Sequence, residues 1–227
     1  MCETDFVARN EVFQKLAGDI STVVFETGLT AVNEVQKQSL PDGLSVGEHI
    51  NEVIAKMGEN IVLRRCCSLS TASPTSILCR YSYPFRMSDS YQHNLLGPNM
   101  SQIAALVSFS VEGDTTKVDR DALRKISMHV AAANPTYLKR EEVPPDVLER
   151  ERALILETVK NLNKPEKIVN RMLEGKVGEF YKQTVLLDQL FILDEKQGSI
   201  SKVLQKLGKE SGCKLGIEKF IRLQVGK

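Results

Sequence analysis

Along the chain, apolar residues recur first at helical spacing. Val12, Phe13, Leu16, Ala17, Ile20, Val23 and Val24 fall three and four residues apart, which gathers them on one face of a helix over residues 10–28. Asn10 suits the N-cap of that helix and Gly28 its stop. A Pro41-Asp42-Gly43 turn follows. Ser45, with Glu48 three residues on, forms a capping-box pattern. It opens a second helix that buries Val46, Ile50, Val53, Ile54 and Met57 and ends at Gly58. The period then shortens. Residues 61–67 read as a strand interrupted by Arg64 and Arg65, and residues 77–83 as another. In residues 101–111, Ile103, Ala105, Val107, Phe109 and Val111 alternate with smaller or polar residues, as in a half-buried strand. Between them a Ser/Thr-rich loop is expected over residues 68–76, a second loop over 86–90, and an extended stretch from Tyr91 through His93.

Asp119 caps the next helix, which carries Leu123, Ile126, Met128 and Val130 until Asn134-Pro135 stops it. Pro144-Pro145-Asp146 starts a longer helix reaching about Asn161, and Pro165 suits the first turn of another, bearing Ile168, Val169, Met172, Leu173, Val177 and Phe180. Two long helices across so short a link predict an antiparallel helical hairpin. Residues 186–193 either extend that hairpin or form a strand. Ser199 or Ser201 caps a short helix with Val203, Leu204 and Leu207; Gly208, Gly212 and Gly216 interrupt the chain; residues 218–225 form a last strand. Helices and strands mix without a regular βαβ repeat, which makes the fold class α+β. Two halves of similar helix–strand content divide near residues 113–119.

Composition narrows the function. A chain of 227 residues holds one large domain or two small ones. Thirty Lys and Arg nearly cancel 29 Asp and Glu, which argues against electrostatically driven binding to nucleic acid or to an anionic membrane. No apolar run approaches the roughly 18 residues of a membrane span. No basic-then-apolar leader opens the sequence, so as written it is not a secretory precursor. Cys2, Cys66, Cys67, Cys79 and Cys213 are odd in number and scattered, and read as reduced thiols. His49, His93 and His129 lack metal-ligand spacing. Neither a metal nor a cofactor is expected.

Cys2-Glu3-Thr4-Asp5-Phe6-Val7-Ala8-Arg9-Asn10 sets an acid and an aromatic ring side by side just before the first long helix. On the residues alone, Thr4-Asp5 is a helix cap and Phe6 a core aromatic. The whole stretch, however, resembles the signature of the translation elongation factor Ts family. Two further stretches resemble the same family in the same order. They are Gly58-Glu59-Asn60-Ile61-Val62-Leu63-Arg64-Arg65 and Ser127-Met128-His129-Val130-Ala131-Ala132-Ala133-Asn134-Pro135. Weaker matches fall at Tyr91-Gln92-His93, from Asn163-Lys164-Pro165 through Met172-Leu173-Glu174-Gly175, and at Phe220-Ile221-Arg222.

The resemblance implies a guanine-nucleotide exchange factor for elongation factor Tu, without covalent chemistry of its own. It implies no direct contact with nucleic acid or membrane, and leaves one-to-one and two-to-two complexes open. It implies two α+β subdomains, each pairing a small antiparallel sheet with helices. Subdomain N covers residues 1–116 and subdomain C residues 117–227, with a protruding helical hairpin at about 163–197. Asp5 and Phe6 would insert between helices of the GTPase domain, beside the nucleotide and its Mg²⁺, with Thr4 and Val7 in the same contact. His129 matches a contact position for another domain of the GTPase, and Ile103 is a further carry-over. Beside these stand blander readings. His129 lies near a helix C-terminus, where a partly positive imidazole is favoured anyway. Arg64 and Arg65 form a solvated strand face, and Tyr91 and His93 are structural.

The sequence also departs from the family. Ala104 replaces a glycine, and residues 68–90 are longer than expected from bacterial members. The family's small N-terminal three-helix domain is not in this sequence, as expected of a fragment, a processed form or an incomplete gene model, and Met1 stands where the family has an asparagine ending a strand. No extra module follows Val225-Gly226-Lys227. Divergence and that ending favour a mitochondrial protein, with a plastid or the bacterial cytoplasm as alternatives. The rival function is a non-exchanging structural or assembly protein that binds the GTPase or a ribosomal particle. An enzymatic reading requires a thiol nucleophile among the five cysteines.

Overall fold

A computed structural model describes residues 1–71, 73–83, 100–160 and 165–226. The loop and the extended stretch expected within residues 86–93 lie outside them. The described residues form eight α-helices and one three-stranded antiparallel sheet, an α+β fold. They divide into two compact units.

The first unit comprises Met1–Ser70, Ser82–Ala104 and Ile221–Lys227. It holds α1 (Asp5–Arg9), α2 (Glu11–Thr27), the single-turn α3 (Val32–Val35) and α4 (Val46–Met57). The sequence signals for α2 and α4 act as expected. The Asn10 side chain accepts from Val12 N–H at 2.9 Å, and Gly28 ends α2 with φ +69°. Ser45 and Glu48 form the reciprocal capping box, and Gly58 ends α4 at φ +72°. The apolar faces of α2 and α4 then share one cluster, in which Phe13, Leu16, Val23, Val24, Val46, Ile50 and Val53 are buried. Each such side chain contributes about 1.5–3 kcal/mol by leaving water.

Residues 61–67 do not form the expected strand. Ile61 is buried, but among the described residues the only ladder-like pairing of this segment is with Met1. There the Met1 ammonium donates to Val62 O at 2.8 Å and Val62 N–H donates to Met1 O at 2.9 Å. β-Propensity reflects packing and pairing on a pleated surface, and one paired residue does not make a ladder. An open cavity of about 320 Å³ lies against this segment, lined by Leu16, Ile20, Ile61, Leu63 and Cys66 among others.

The second unit comprises Thr71–Tyr81 and Ala105–Phe220. Strands β1 (Ile77–Tyr83), β2 (Ile103–Glu112) and β3 (Lys214–Gln224) lie in the order β1-β2-β3. The alternation read in β2 is real, with Ala105, Val107, Phe109 and Val111 all buried. Ser108, on the other face, is buried too, and its hydroxyl donates to Glu218 of β3 at 2.6 Å. Ser76, just before β1, donates to the same carboxylate at 2.6 Å, so one acceptor of β3 satisfies hydroxyls from β2 and from the start of β1. β3 starts earlier than its expected boundary because Gly216 does not break it. A Cβ at Gly216 would lie 2.7 Å from Ser110 Oγ, so the glycine allows close approach within the sheet.

Helix α5 (Arg120–Ala133) is capped by Asp119, which accepts from Asp121 and Ala122 N–H, and ends at Asn134 with φ +50°. Helices α6 (Pro145–Lys160) and α7 (Glu166–Thr184) pair through Ile155, Val159 and Val177. Within residues 163–197, only α7 is a long helix. Beyond Thr184 the chain makes a 3-10 turn at Leu186–Asp188 and an isolated bridge between Leu190 and Ser199. Residues 186–193 therefore neither continue the helical pair nor join a sheet. Helix α8 (Ile200–Ser211) closes with Gly212 at φ +65° and Cys213 N–H donating to Gly208 O at 2.9 Å. This pairing marks a Schellman end.

Two helix glycines should respond in opposite directions. A Cβ at Gly18 in α2 meets nothing within 4 Å, so Gly18→Ala should raise stability by about 1 kcal/mol through helix propensity. A Cβ at Gly208 would lie 2.6 Å from the Cys213 carbonyl oxygen. Gly208→Ala should therefore lower stability by about 1–3 kcal/mol despite better propensity. Urea midpoints of the two variants against the parent test both signs.

Candidate functional site

The signature residues sit on α1, a helix too short to hold itself together. Thr4 is its N-cap, with Oγ1 accepting from Val7 N–H at 3.4 Å. Thr4 is itself held by Glu59, just beyond the end of α4. The Thr4 hydroxyl donates to the Glu59 carboxylate at 2.7 and 2.9 Å, and Thr4 N–H donates to it at 3.2 Å. The two stretches that carry the family likeness at this end of the chain are thus joined by direct hydrogen bonds.

Neighbouring residues of α1 have opposite fates. Val7 is 1% exposed and belongs to the first unit's core, whereas Phe6 is 78% exposed. Asp5, in the first turn, is exposed and favourably placed against the helix dipole. The reading of Phe6 as a core aromatic is therefore corrected: Val7 takes the core position and turns the phenyl ring outward. Burying a Phe side chain is worth about 1.5–3 kcal/mol, and folding leaves most of that unused. Ile103, at the start of β2, is half-buried within the residues of the first unit.

His129 belongs to the second unit, where it is fully buried on α5. Ile192 N–H donates to its Nδ1 at 3.2 Å, so Nδ1 carries no proton. Nε2 then carries it and donates to Gln189 Oε1 at 3.0 Å. The Gln189 amide in turn donates to Gln183 O at 2.7 Å and Ala133 O at 3.5 Å. Burial holds the His129 pKa below its ordinary value, partly countered by the Gln189 hydrogen bond. The ring is a neutral connector, not the partly positive imidazole expected at a helix end.

That connector fixes a feature the sequence reading did not single out. Phe191 is buried, its ring centroid 6.0 Å from that of His129, while Leu190, Ile192 and Leu193 are 49%, 51% and 43% exposed. Three exposed apolar side chains are thus attached to a segment tied down by a buried imidazole. Arg140 grips Asp188 through two hydrogen bonds of 2.8 Å and covers the Tyr181 ring at 4.8 Å, steadying the preceding turn. An apolar run after a break in helical periodicity was the available signal, but it does not reveal which residues face outward.

Four of the five thiols point away from nucleophilic use. Burial raises the pKa values of Cys2, Cys66, Cys67 and Cys79, opposite to the lowering that activates a catalytic thiolate. No helix among the described residues is long and apolar enough to cross a membrane.

An α+β chain that leaves a phenyl ring and a carboxylate in solvent on an anchored turn, and fixes a second apolar row with a neutral histidine, has the anatomy of a protein-binding factor. The sequence model of the family described as Elongation factor TS matches residues 3–227. The chain is 34% identical over 226 residues to the elongation factor Ts of Rhodospirillum centenum, covering 99% of this chain and 69% of that protein. It is 36% identical over 230 residues to that of Orientia tsutsugamushi, covering 99% and 68%. The corresponding figures for Rickettsia bellii are 34% over 226 residues, 99% and 68%. The chain belongs to the elongation factor Ts family, the nucleotide exchange factors of elongation factor Tu in translation elongation. Members of this family are exchange factors, not enzymes.

Because the His129 pKa is lowered on folding, the unfolded chain takes up this proton more readily. Its contribution to stability is fully present above the ordinary value of 6.5 and is lost as pH falls from there through the folded value. Urea midpoints should fall between about pH 7.5 and 5.5, and His129→Gln should flatten that part of the slope. An unchanged slope would show that His129 does not titrate differently on folding.

Proposed function

We propose that this chain releases GDP from elongation factor Tu by inserting Asp5 and Phe6 between helices of the GTPase domain, beside the nucleotide and its Mg²⁺. The observation that carries this reading is the contrast between Phe6, 78% exposed, and the adjacent Val7, 1% exposed. A side chain anchored from behind and free in front enters a packed partner with little ordering cost. Packed interiors move between discrete arrangements, so an inserted ring shifts helices rather than compressing them. Mg²⁺ demands near-octahedral ligands, and small displacements of its supports weaken its hold on phosphate. By linkage, a factor that weakens GDP binding is itself bound less tightly by the GDP form, by the same factor. A coupling of about 4 kcal/mol corresponds to roughly a thousandfold change in nucleotide affinity.

Leu190, Ile192 and Leu193 form the second grip in this proposal, with His129 acting behind them and Ile103 as a further contact. Thr4 and Val7 serve the first grip by orienting it. The two-subdomain division belongs to the same reading: residues 1–116, then residues 117–227 with the hairpin at about 163–197. The partner is the GTPase, without direct nucleic-acid or membrane contact, and the mass of the complex in solution distinguishes a one-to-one from a two-to-two assembly. The mitochondrion is the proposed location, on the divergence from bacterial members, with a plastid or the bacterial cytoplasm as the alternatives that cell fractionation tests.

Asp5→Ala together with Phe6→Ala should leave the melting transition in place and abolish stimulated GDP release from the cognate GTPase. Release at the parental rate would refute insertion. A stable complex that retains its GDP with the parental chain would favour the non-exchanging reading.

A further inference from the structure

We propose that Glu59 is a positioning residue for nucleotide exchange, setting the direction in which α1 presents Asp5 and Phe6. This inference rests on the insertion reading given above. Several contacts hold the five-residue helix, among them the Gln14 side-chain amide donating to Ala8 O at 3.3 Å, and they do different things. Val7 sets how deep the helix sits, because its side chain is in the core. The Met1–Val62 pair fixes where the chain enters. Glu59 grips the residue directly before Asp5 through both the backbone N–H and the hydroxyl of Thr4, whereas the Cys2 thiol reaches only the Thr4 carbonyl, at 3.4 Å.

The chemistry of the group matters as well as its place. An ionised carboxylate is an acceptor only, so the Thr4 hydroxyl must spend its proton on Glu59. Its lone pairs are then left for Val7 N–H, which approaches at 3.4 Å. The carboxylate therefore enforces the one hydroxyl orientation that also caps α1. Glu59 is aimed by Gly58, whose left-handed φ of +72° turns the chain out of α4. Helix α4 in turn is fixed by Val46, Ile50 and Val53 in the core. The wedge is thus referenced, through one side chain, to a helix that does not itself carry the signature.

The test uses the full chain and its cognate GTPase, with two readouts: the maximal rate of GDP release and the Kd for the nucleotide-free GTPase. Glu59→Ala should lower the maximal rate about tenfold, equivalent to ~1.4 kcal/mol, with a cooperative melt retained. Thr4→Val should reproduce the loss, the Thr4→Val/Glu59→Ala pair should be no worse than either alone, and Thr4→Ser should restore the rate. Glu59→Ala should weaken binding to the nucleotide-free GTPase in the parental chain but not in the Asp5→Ala/Phe6→Ala background. If Glu59→Ala exchanges at the parental rate while Asp5→Ala/Phe6→Ala has lost exchange, the positioning role is wrong and insertion stands. If Asp5→Ala/Phe6→Ala itself exchanges at the parental rate, insertion fails and this inference with it. If Glu59→Ala weakens binding equally in both backgrounds, Glu59 acts through general stability and the positioning role is overturned.

Discussion

Hydrogen bonds from Thr4 to the Glu59 carboxylate join residues 55 positions apart, and the whole N-terminal turn depends on them. Helix α1 cannot pay for its own nucleation. Without a grip on Thr4, the orientation of Asp5 and Phe6 would rest on contacts farther from them, such as Val7 in the core, Gln14 on Ala8 O and the pairing of Met1 with Val62. With that grip, α1 inherits the rigidity of α4, whose buried residues are shared with α2. The strength of the individual hydrogen bonds is secondary, because Thr4 is exposed and Glu59 only half-buried. Their direction decides how the turn is presented.

A large exposed aromatic is normally a cost to a folded protein, through lost burial and through the risk of association. Here its placement is enforced, since Val7 occupies the available core position and a neighbour on the same short helix cannot share it. The ring is held in water by the same contact that anchors its backbone. Such an arrangement trades a few kcal/mol of folding stability for a side chain that needs no ordering on contact.

Local signals were legible wherever the cause is local. Asn10, Gly28, Ser45 with Glu48, Asp119 and the alternation in β2 all do what their residue types and spacing predict. What failed depends on partners distant in sequence. Residues 61–67 have strand composition, but among the described residues only Met1 pairs with their backbone in ladder fashion. Gly216 reads as a break until Ser110 is seen beside it, 2.7 Å from where a Cβ would be. Family likeness pointed to Asp5, Phe6 and His129 as candidates, yet it put Val7 in the same contact as Phe6, whereas Val7 is buried and Phe6 faces outward. Nor did it show that Glu59 sets the frame, because that information lies in the tertiary pairing.

His129 carries the same logic into the second unit. A fully buried ring cannot offer its own surface to a partner, so any effect it has on binding must pass through what it holds. Its Nδ1 accepts from Ile192 N–H, 63 residues along the chain, in the middle of the exposed Leu190, Ile192 and Leu193. Protonation would place a second N–H opposite that donor and sever the tie, which is why burial and neutrality go together here. Glu59 and His129 are thus comparable devices. Each is a polar side chain set back from the surface, and each fixes the backbone that presents exposed apolar groups. Substituting either one tests presentation, and substituting Phe6 or Ile192 tests contact. Only the comparison of the two kinds of variant separates a residue that touches the GTPase from one that aims the residue that does.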